Sequence, residues 1–328
     1  MKLVTTLSRT IVTFIFLLIT SLASATTVAS SPTDIRHSSK VSVALQHTEV
    51  WGKGNFEIVP QIYAENYLGH WPGGVQKLHG RAEIEAEVAR HRERNTDWKV
   101  SVLKVIEEGD HIATLSRVST QLPEGKIEIL EYNIFRMVNG QIAEQWMLRD
   151  SDSFSRQGRA LAGNTDDSAK EDAHSTALAD SGTAFAADIP DYTNFSNLQA
   201  VSLQHSQVWD KGNVALIPRI YSEDYIGHWQ GGVKKIRGIP GITSEVVSFR
   251  GRFDDYQEKI IKTVQQGDHV VTQYISTATT KEGVFSIMEF GIFRMVNGQI
   301  AEQWSLPDLE SFYTQFMDAT GIDLRTDH

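Results

Sequence analysis

Residues 134–146 read IFRMVNGQIAEQW, and the same thirteen residues return unchanged at 292–304. Apolar and polar residues alternate on either side of an Asn-Gly pair, the pattern of two antiparallel strands joined by a tight turn. The spacing between the copies is 158, and it holds well beyond this hairpin. LQHTEVWGKGN at 45–55 answers LQHSQVWDKGN at 203–213, and YAENYLGHWPGGV at 63–75 answers YSEDYIGHWQGGV at 221–233. Residues 42–154 align with 200–312 without a gap, and about half of the positions are identical. Repeats of about 20–50 residues build solenoids. A period this long is the size of a domain, so the chain carries one domain twice.

Within one copy, Val43, His47, Val50 and Trp51 fall at i, i+4, i+7 and i+8, a helical stripe closed by Gly52 and Gly54. Ile58, Ile62 and Tyr63 mark a second short helix, and Ile84, Val88 and His91 a third. Strand-like runs follow at Val100–Ile106, Ile112–Thr120, Ile127–Val138 and Gln141–Leu148, with turn signals at Gly109-Asp110 and Asn139-Gly140. The order α-α-β-α-β-β-β-β predicts an α+β fold in which a curved antiparallel sheet wraps around helices.

The N-terminus reads as an address. Lys2 and Arg9, the apolar run Ile11–Leu18 and Ala23-Ser24-Ala25 match the three regions of a secretory signal peptide. The run is shorter than the roughly 20 residues a membrane helix needs. The sequence therefore predicts a signal peptide over 1–25, a periplasmic or secreted protein, and no integral membrane segment after cleavage. The chain has no Cys, which leaves no disulfide and no thiolate chemistry. Cleavage removes two of the 31 Lys and Arg and none of the 41 Asp and Glu, so the net charge moves from −10 to −12. Nucleic acid and anionic membrane need clustered positive charge, so neither is an expected partner. Residues 156–190 are rich in Ala, Ser, Asp, Gly and Thr and poor in large apolar side chains. They read as a flexible linker between domains at 36–155 and 191–328.

The His-Trp pair, the long third helix and the FRMVNGQIAEQW hairpin together resemble the SnoaL-like polyketide cyclase family, of the nuclear transport factor 2-like superfamily. The resemblance covers nearly all of both repeats. It implies two tandem cone-shaped α+β barrels, packed through their sheets as an intramolecular pseudo-dimer. It also implies a pocket for a small hydrophobic or polyketide-like carbonyl compound, with no metal and no cofactor. Known members close rings by an intramolecular aldol reaction, using a carboxylate as general acid/base with a nearby His. The family reads E-H-W-D on the last strand. Here the His position is Gln145 and Gln303 and the Asp position is Met147 and Ser305, and none of these exchanges a proton near neutral pH. The fold alone serves isomerases, dehydratases, hydrolases and inert binding domains, so a non-catalytic ligand-binding or scaffolding protein is the alternative.

Glu131 and Glu289 are the candidate proton carriers, each in an otherwise apolar strand, ILEYNIF or IMEFGIF. Burial there would raise the carboxyl's proton affinity; pairing with an Arg would make it structural. Alternation puts Glu131, Asn133 and Phe135 on one face. A three-residue Val138-Asn139-Gly140 loop sets position 133 opposite 145 and adds Gln145 and Met147 to that face, matching the family. A two-residue turn would set 133 opposite Trp146 instead. His70 and His228 are candidate catalytic partners, since His titrates near neutral pH, or else they anchor the following Gly-Gly loop. Trp71 and Trp229 offer flat walls for a ring. Asn133, Gln145, Gln303, Tyr63, Tyr221, His47 and His205 complete the candidate ligand contacts, the two histidines being equally compatible with a core role. No HExxH, Cys/His cluster, phosphate cradle or nucleophile elbow is present. Around this frame the copies differ: Asn133 answers Gly291, Met147 answers Ser305, His91 answers Phe249 and Trp98 answers Tyr256. One copy is therefore expected to keep the principal site.

Overall fold

The computed structural model describes residues 37–71, 76–95, 97–163, 195–232, 234–253 and 255–322. The expected signal peptide, most of the expected linker and the last six residues lie outside these. In the first repeat, α1 (Ser39–Leu45) runs on as a π-helical turn to Trp51, and a short α2 (Val59–Ile62) leads into β1 (Tyr63–Trp71) and β2 (Gln76–His79). Then come α3 (Gly80–Arg94), β3 (Lys99–Glu108), β4 (His111–Leu122), β5 (Gly125–Val138), β6 (Gln141–Arg149) and α4 (Ser151–Leu161). The second repeat has the same order: α5 (Asn197–Leu203), α6 (Ile217–Ile220), β7 (Tyr221–Trp229), β8 (Lys234–Arg237), α7 (Gly238–Arg252), β9 (Gln257–Gln266), β10 (His269–Thr280), β11 (Gly283–Val296), β12 (Gln299–Pro307) and α8 (Leu309–Thr320). Helix α4 takes in residues 156–161, which the sequence had assigned to the linker; Asp150 caps it by accepting from the Ser153 amide.

Each repeat holds one six-stranded sheet, in the order β2-β1-β6-β5-β4-β3 and β8-β7-β12-β11-β10-β9. The expected antiparallel barrel needs two corrections. The sheets are open, since β2 and β3 (or β8 and β9) are edges that do not meet. They are also mixed: β1 runs parallel to β6 and β7 to β12. The cause is a connection the sequence did not reveal. β2 folds back on β1 before the helix crosses over, so the β3–β6 meander brings β6 alongside β1 in the same direction.

The register at the repeated hairpin differs from both expected alternatives. Asn139 (φ 51°) and Gly140 (φ 80°) form a two-residue turn of left-handed residues, which sets Val138 opposite Gln141. A bulge between Arg136 and Met137 then adds one residue, so Asn133 faces Met147 and Phe135 faces Gln145. The bulge restores the parity that the two-residue turn changed. Glu131, Asn133, Phe135, Gln145 and Met147 therefore share the inner face, as expected, although by a different pairing.

Inner-face residues and the helices form one apolar core per repeat, around Tyr67, Trp71, Ile84 and Phe135 in the first and Tyr225, Ile242, Val246 and Phe293 in the second. Outer-face residues of both sheets form a third cluster, with Tyr132, Ile134 and Trp146 packed together with Phe290, Ile292 and Leu306. The polar contacts around it repeat at the 158 spacing. The Gln266 side chain accepts from the Glu107 amide (3.0 Å) and Glu108 accepts from the Gln265 amide (2.7 Å). Lys104 lies over Trp304 and Lys262 over Trp146, at 4.4 and 4.0 Å from the ring centres.

Candidate functional site

The same place in the two repeats has opposite chemistry. In the first repeat Glu131 is 6% exposed and pairs with Arg149, whose Nε and Nη2 donate to one carboxylate oxygen at 3.0 and 2.7 Å. The Asn133 amide donates to the other oxygen (3.1 Å), Gln145 donates to Asn133 (2.8 Å), and Tyr67 donates to Gln145 (3.0 Å). Burial pushes the Glu131 carboxyl upward, but Arg149 and the donated hydrogen bonds outweigh it and hold it below its ordinary range. The Arg149 guanidinium also stacks on Trp98, 4.8 Å from the ring centre. Trp98 meets His91 edge-on, and burial followed by the Arg149 charge lowers the His91 ring to about 4. The remaining opening is a concavity of about 260 Å³ with Arg90, His91, Arg94 and Arg149 on its walls.

In the second repeat Pro307 stands where Arg149 stands, and a cavity of about 310 Å³ opens beside the carboxylate. Its walls are mainly apolar and include Trp209, Trp229, Phe249, Phe253, Tyr256 and Phe312, and among the described residues no Lys or Arg lines it. Glu289 borders this space together with a second carboxylate, Glu258, which answers Val100. His205 is 1% exposed and holds Glu258 through Nδ1 (2.6 Å), its Nε2 meeting Thr272 at 3.2 Å. The two carboxylates are joined by hydroxyls. Tyr256 donates to Glu258 (2.6 Å) and meets Ser276 at 2.9 Å, and Ser276 lies 2.5 Å from Glu289. Burial first, and the Glu258 charge next, raise Glu289 to about 7, against the opposing hydrogen bonds from Ser276 and Tyr274. Tyr274 donates to the other Glu289 oxygen (3.0 Å); burial holds both Tyr256 and Tyr274 well above the usual phenol range, so they remain donors.

The sequence candidates fall into four groups. Glu289, Trp229 and Gln303 line the second cavity. Glu131, Asn133 and Gln145 form the polar chain of the first repeat; Gln303 keeps the Tyr225 bond (3.0 Å), but Gly291 supplies no amide to extend it. The space beside Gly291 is already taken: a Cβ there would lie 2.8 Å from the Phe293 ring and 3.1 Å from Thr272. Tyr63, Tyr221 and Trp71 are buried in the inner cores, Tyr63 edge-on to Tyr67 and Tyr221 to Tyr225. His47 is buried against Phe135, its Nε2 without a partner among the described residues.

His70 and His228 are not beside the glutamates. They alternate with the inward Trp71 and Trp229, so they face outward. Each bonds a carboxylate of the neighbouring strand, Glu144 or Glu302, at 2.9 Å. Each also stacks flat on a tryptophan, Trp146 or Trp304, with ring planes within 3° and 6°. Sequence reasoning missed Arg149, Glu258, Tyr256 as a hydroxyl donor, and Tyr274. The signal lay in the offset comparison, which sets Arg149 against Pro307, Val100 against Glu258 and Ser116 against Tyr274. Among the described residues, no group of three or more His, Cys, Asp and Glu is placed to hold a metal ion. No described helix is long and apolar enough to cross a membrane.

Comparison with known proteins follows the same division. The SnoaL-like domain family matches residues 44–145, and the SnoaL-like polyketide cyclase family matches residues 199–316. No curated protein matches the chain. Among solved structures, it is similar to a candidate polyketide cyclase from Bacillus cereus, at 22% identity over 37% of this chain and 79% of that one, with a TM-score of 0.34. An LEH-like epoxide hydrolase from M. tuberculosis matches at 15% identity over 38% and 90%, also with a TM-score of 0.34. A candidate cyclase from Acidithiobacillus ferrooxidans matches at 20% identity over 38% and 96%, with a TM-score of 0.35. Both halves of the chain thus match SnoaL-like family models, and the chain is a tandem SnoaL-like protein.

Proposed function

We propose that the second repeat binds a small, ring-bearing organic molecule in its aromatic cavity and exchanges a proton with it through Glu289, without a cofactor. The carrying observation is a carboxyl raised to about 7 on the wall of a mainly apolar cavity. A general acid/base works best when its proton affinity lies near the working pH. For a carbonyl compound, the Glu289 carboxylate would take a proton from the carbon next to the carbonyl. The C–H electrons would move into the enolate, and Glu289 would return the proton to carbon or oxygen. Aldol cyclisation, isomerisation and dehydration all begin with that step.

The first repeat has a different part in this proposal. Its carboxylate is neutralised by Arg149, which favours a non-catalytic binding or scaffolding role. The shared outer-face cluster supports an intramolecular pseudo-dimer in which the first repeat holds the sheet of the second. Export and cleavage after Ala25 remain part of the proposal on the N-terminal pattern. The test is mass spectrometry of small molecules that co-purify with the protein, compared with Glu289→Gln and Glu131→Gln. Loss of a bound ring compound from Glu289→Gln alone would support the proposal; equal retention in both variants would sink it.

A further inference from the structure

The first repeat contains, as part of its own chain, a cation bound where the second repeat has empty space. The Arg149 guanidinium lies between Glu131 and the Trp98 ring. At the matching positions the second repeat keeps the carboxylate as Glu289 and the aromatic wall as Tyr256, but Pro307 removes the guanidinium. All three residues line the 310 Å³ cavity. The second repeat also gains Glu258, so two carboxylates border one apolar space with no Lys or Arg on its walls among the described residues. Arg250 donates to the Tyr256 carbonyl oxygen and Arg252 lies over the Phe249 ring, and neither lines the cavity. His205 is bonded to Glu258, and Tyr256 and Tyr274 are hydroxyl donors.

We infer that the ligand of the second cavity carries a cationic nitrogen group, a guanidinium, amidinium or protonated amine, which takes the place of the Arg149 guanidinium against Glu289 and Tyr256. The inference rests on the proposed role of this cavity as the ligand site and adds the charge class of its occupant. An aromatic wall beside a carboxylate suits such a group, because the ring face and the carboxylate both attract positive charge. An apolar ring on the same molecule would meet Trp209, Trp229 and Phe249. The cation would also favour the ionised form of Glu289, so its binding should release a proton.

Two probes of nearly equal shape separate the charge from the shape: benzamidine, which is cationic, and benzamide, which is neutral. Titration calorimetry on the full chain at pH 7 should show benzamidine binding about 10–100-fold more tightly, the range for a hydrogen bond to a charged group. Repeating it in two buffers of different ionisation heat should show proton release with benzamidine and none with benzamide. Glu289→Gln should abolish both the preference and the proton release. Pro307→Arg, which restores the built-in guanidinium, should block benzamidine while raising the melting temperature. Benzamide binding as tightly as benzamidine would overturn the cation inference and leave the cavity reading intact. Binding of neither probe to a chain that melts cooperatively would overturn both, and benzamidine binding unchanged in Pro307→Arg would place the cation elsewhere.

Discussion

Glu131 and Glu289 occupy the same position in the two repeats, yet the same substitution should change stability with opposite sign. For Glu289 the folded-state pKa is raised to about 7 from an ordinary 4.5. Between those values the folded protein holds a proton that the unfolded chain has lost, so stability falls as pH rises through this window. At about 1.4 kcal/mol per unit over two and a half units, the loss is about 3 kcal/mol and is complete near pH 8. Glu289→Gln removes the charge and keeps an acceptor for Ser276, and the Tyr274 hydroxyl can turn to accept from the amide. The variant should match the parent near pH 4 and exceed it by about 3 kcal/mol at pH 8. Glu131 is shifted downward, so its contribution is present above the ordinary carboxylate range and is lost as pH falls through its lowered pKa. Glu131→Gln leaves Arg149 largely buried without its partner and should cost about 3 kcal/mol at pH 8. Urea unfolding of the parent and both variants at pH 5 and pH 8, followed by circular dichroism, reads these shifts directly. Destabilisation of Glu289→Gln at pH 8 by as much as Glu131→Gln would refute the reasoning.

Further outcomes follow from other parts of the molecule. Tyr256→Trp copies the first repeat at the cavity wall and should lower the affinity of any ligand of the second cavity by about tenfold or more, read by calorimetry. Trp146→Ala, at the outer-face cluster, should cost about 3–5 kcal/mol in thermal or urea unfolding. Limited proteolysis should cut first within residues 162–190, and the two halves should stay together on a sizing column at micromolar concentration. Intact mass of protein from exporting cells should correspond to a chain beginning at Thr26.

Much of the fold was legible because it rests on local chemistry. The 158-residue repeat, the Asn139-Gly140 turn and the four long strands all follow from residue type and period. The inner face of Glu131 followed from alternation, although the route to Gln145 passes through a bulge that no local pattern announces. The parallel pairing of β1 with β6 was hidden because β2 is four residues long and carries little pattern. The site was less legible because its chemistry depends on partners distant in the chain. Arg149 is an ordinary strand-end cation until tertiary structure brings it onto Glu131, and Glu258 looks solvated until His205 is set against it. His70 suits acid/base work by residue type alone, but strand alternation sets it on the face opposite Trp71, away from Glu131.

The proposed chemistry requires Glu289 to exchange protons near neutrality while its counterpart Glu131 stays ionised. Carbon-13 NMR titration of glutamate-labelled protein, with each side-chain resonance assigned through its Gln variant, measures both groups in one sample. The expected result is a Glu289 midpoint of about 7 and a Glu131 midpoint below the ordinary value of 4.5. Midpoints below 4.5 for both groups, or a raised Glu131 beside an ordinary Glu289, would contradict it.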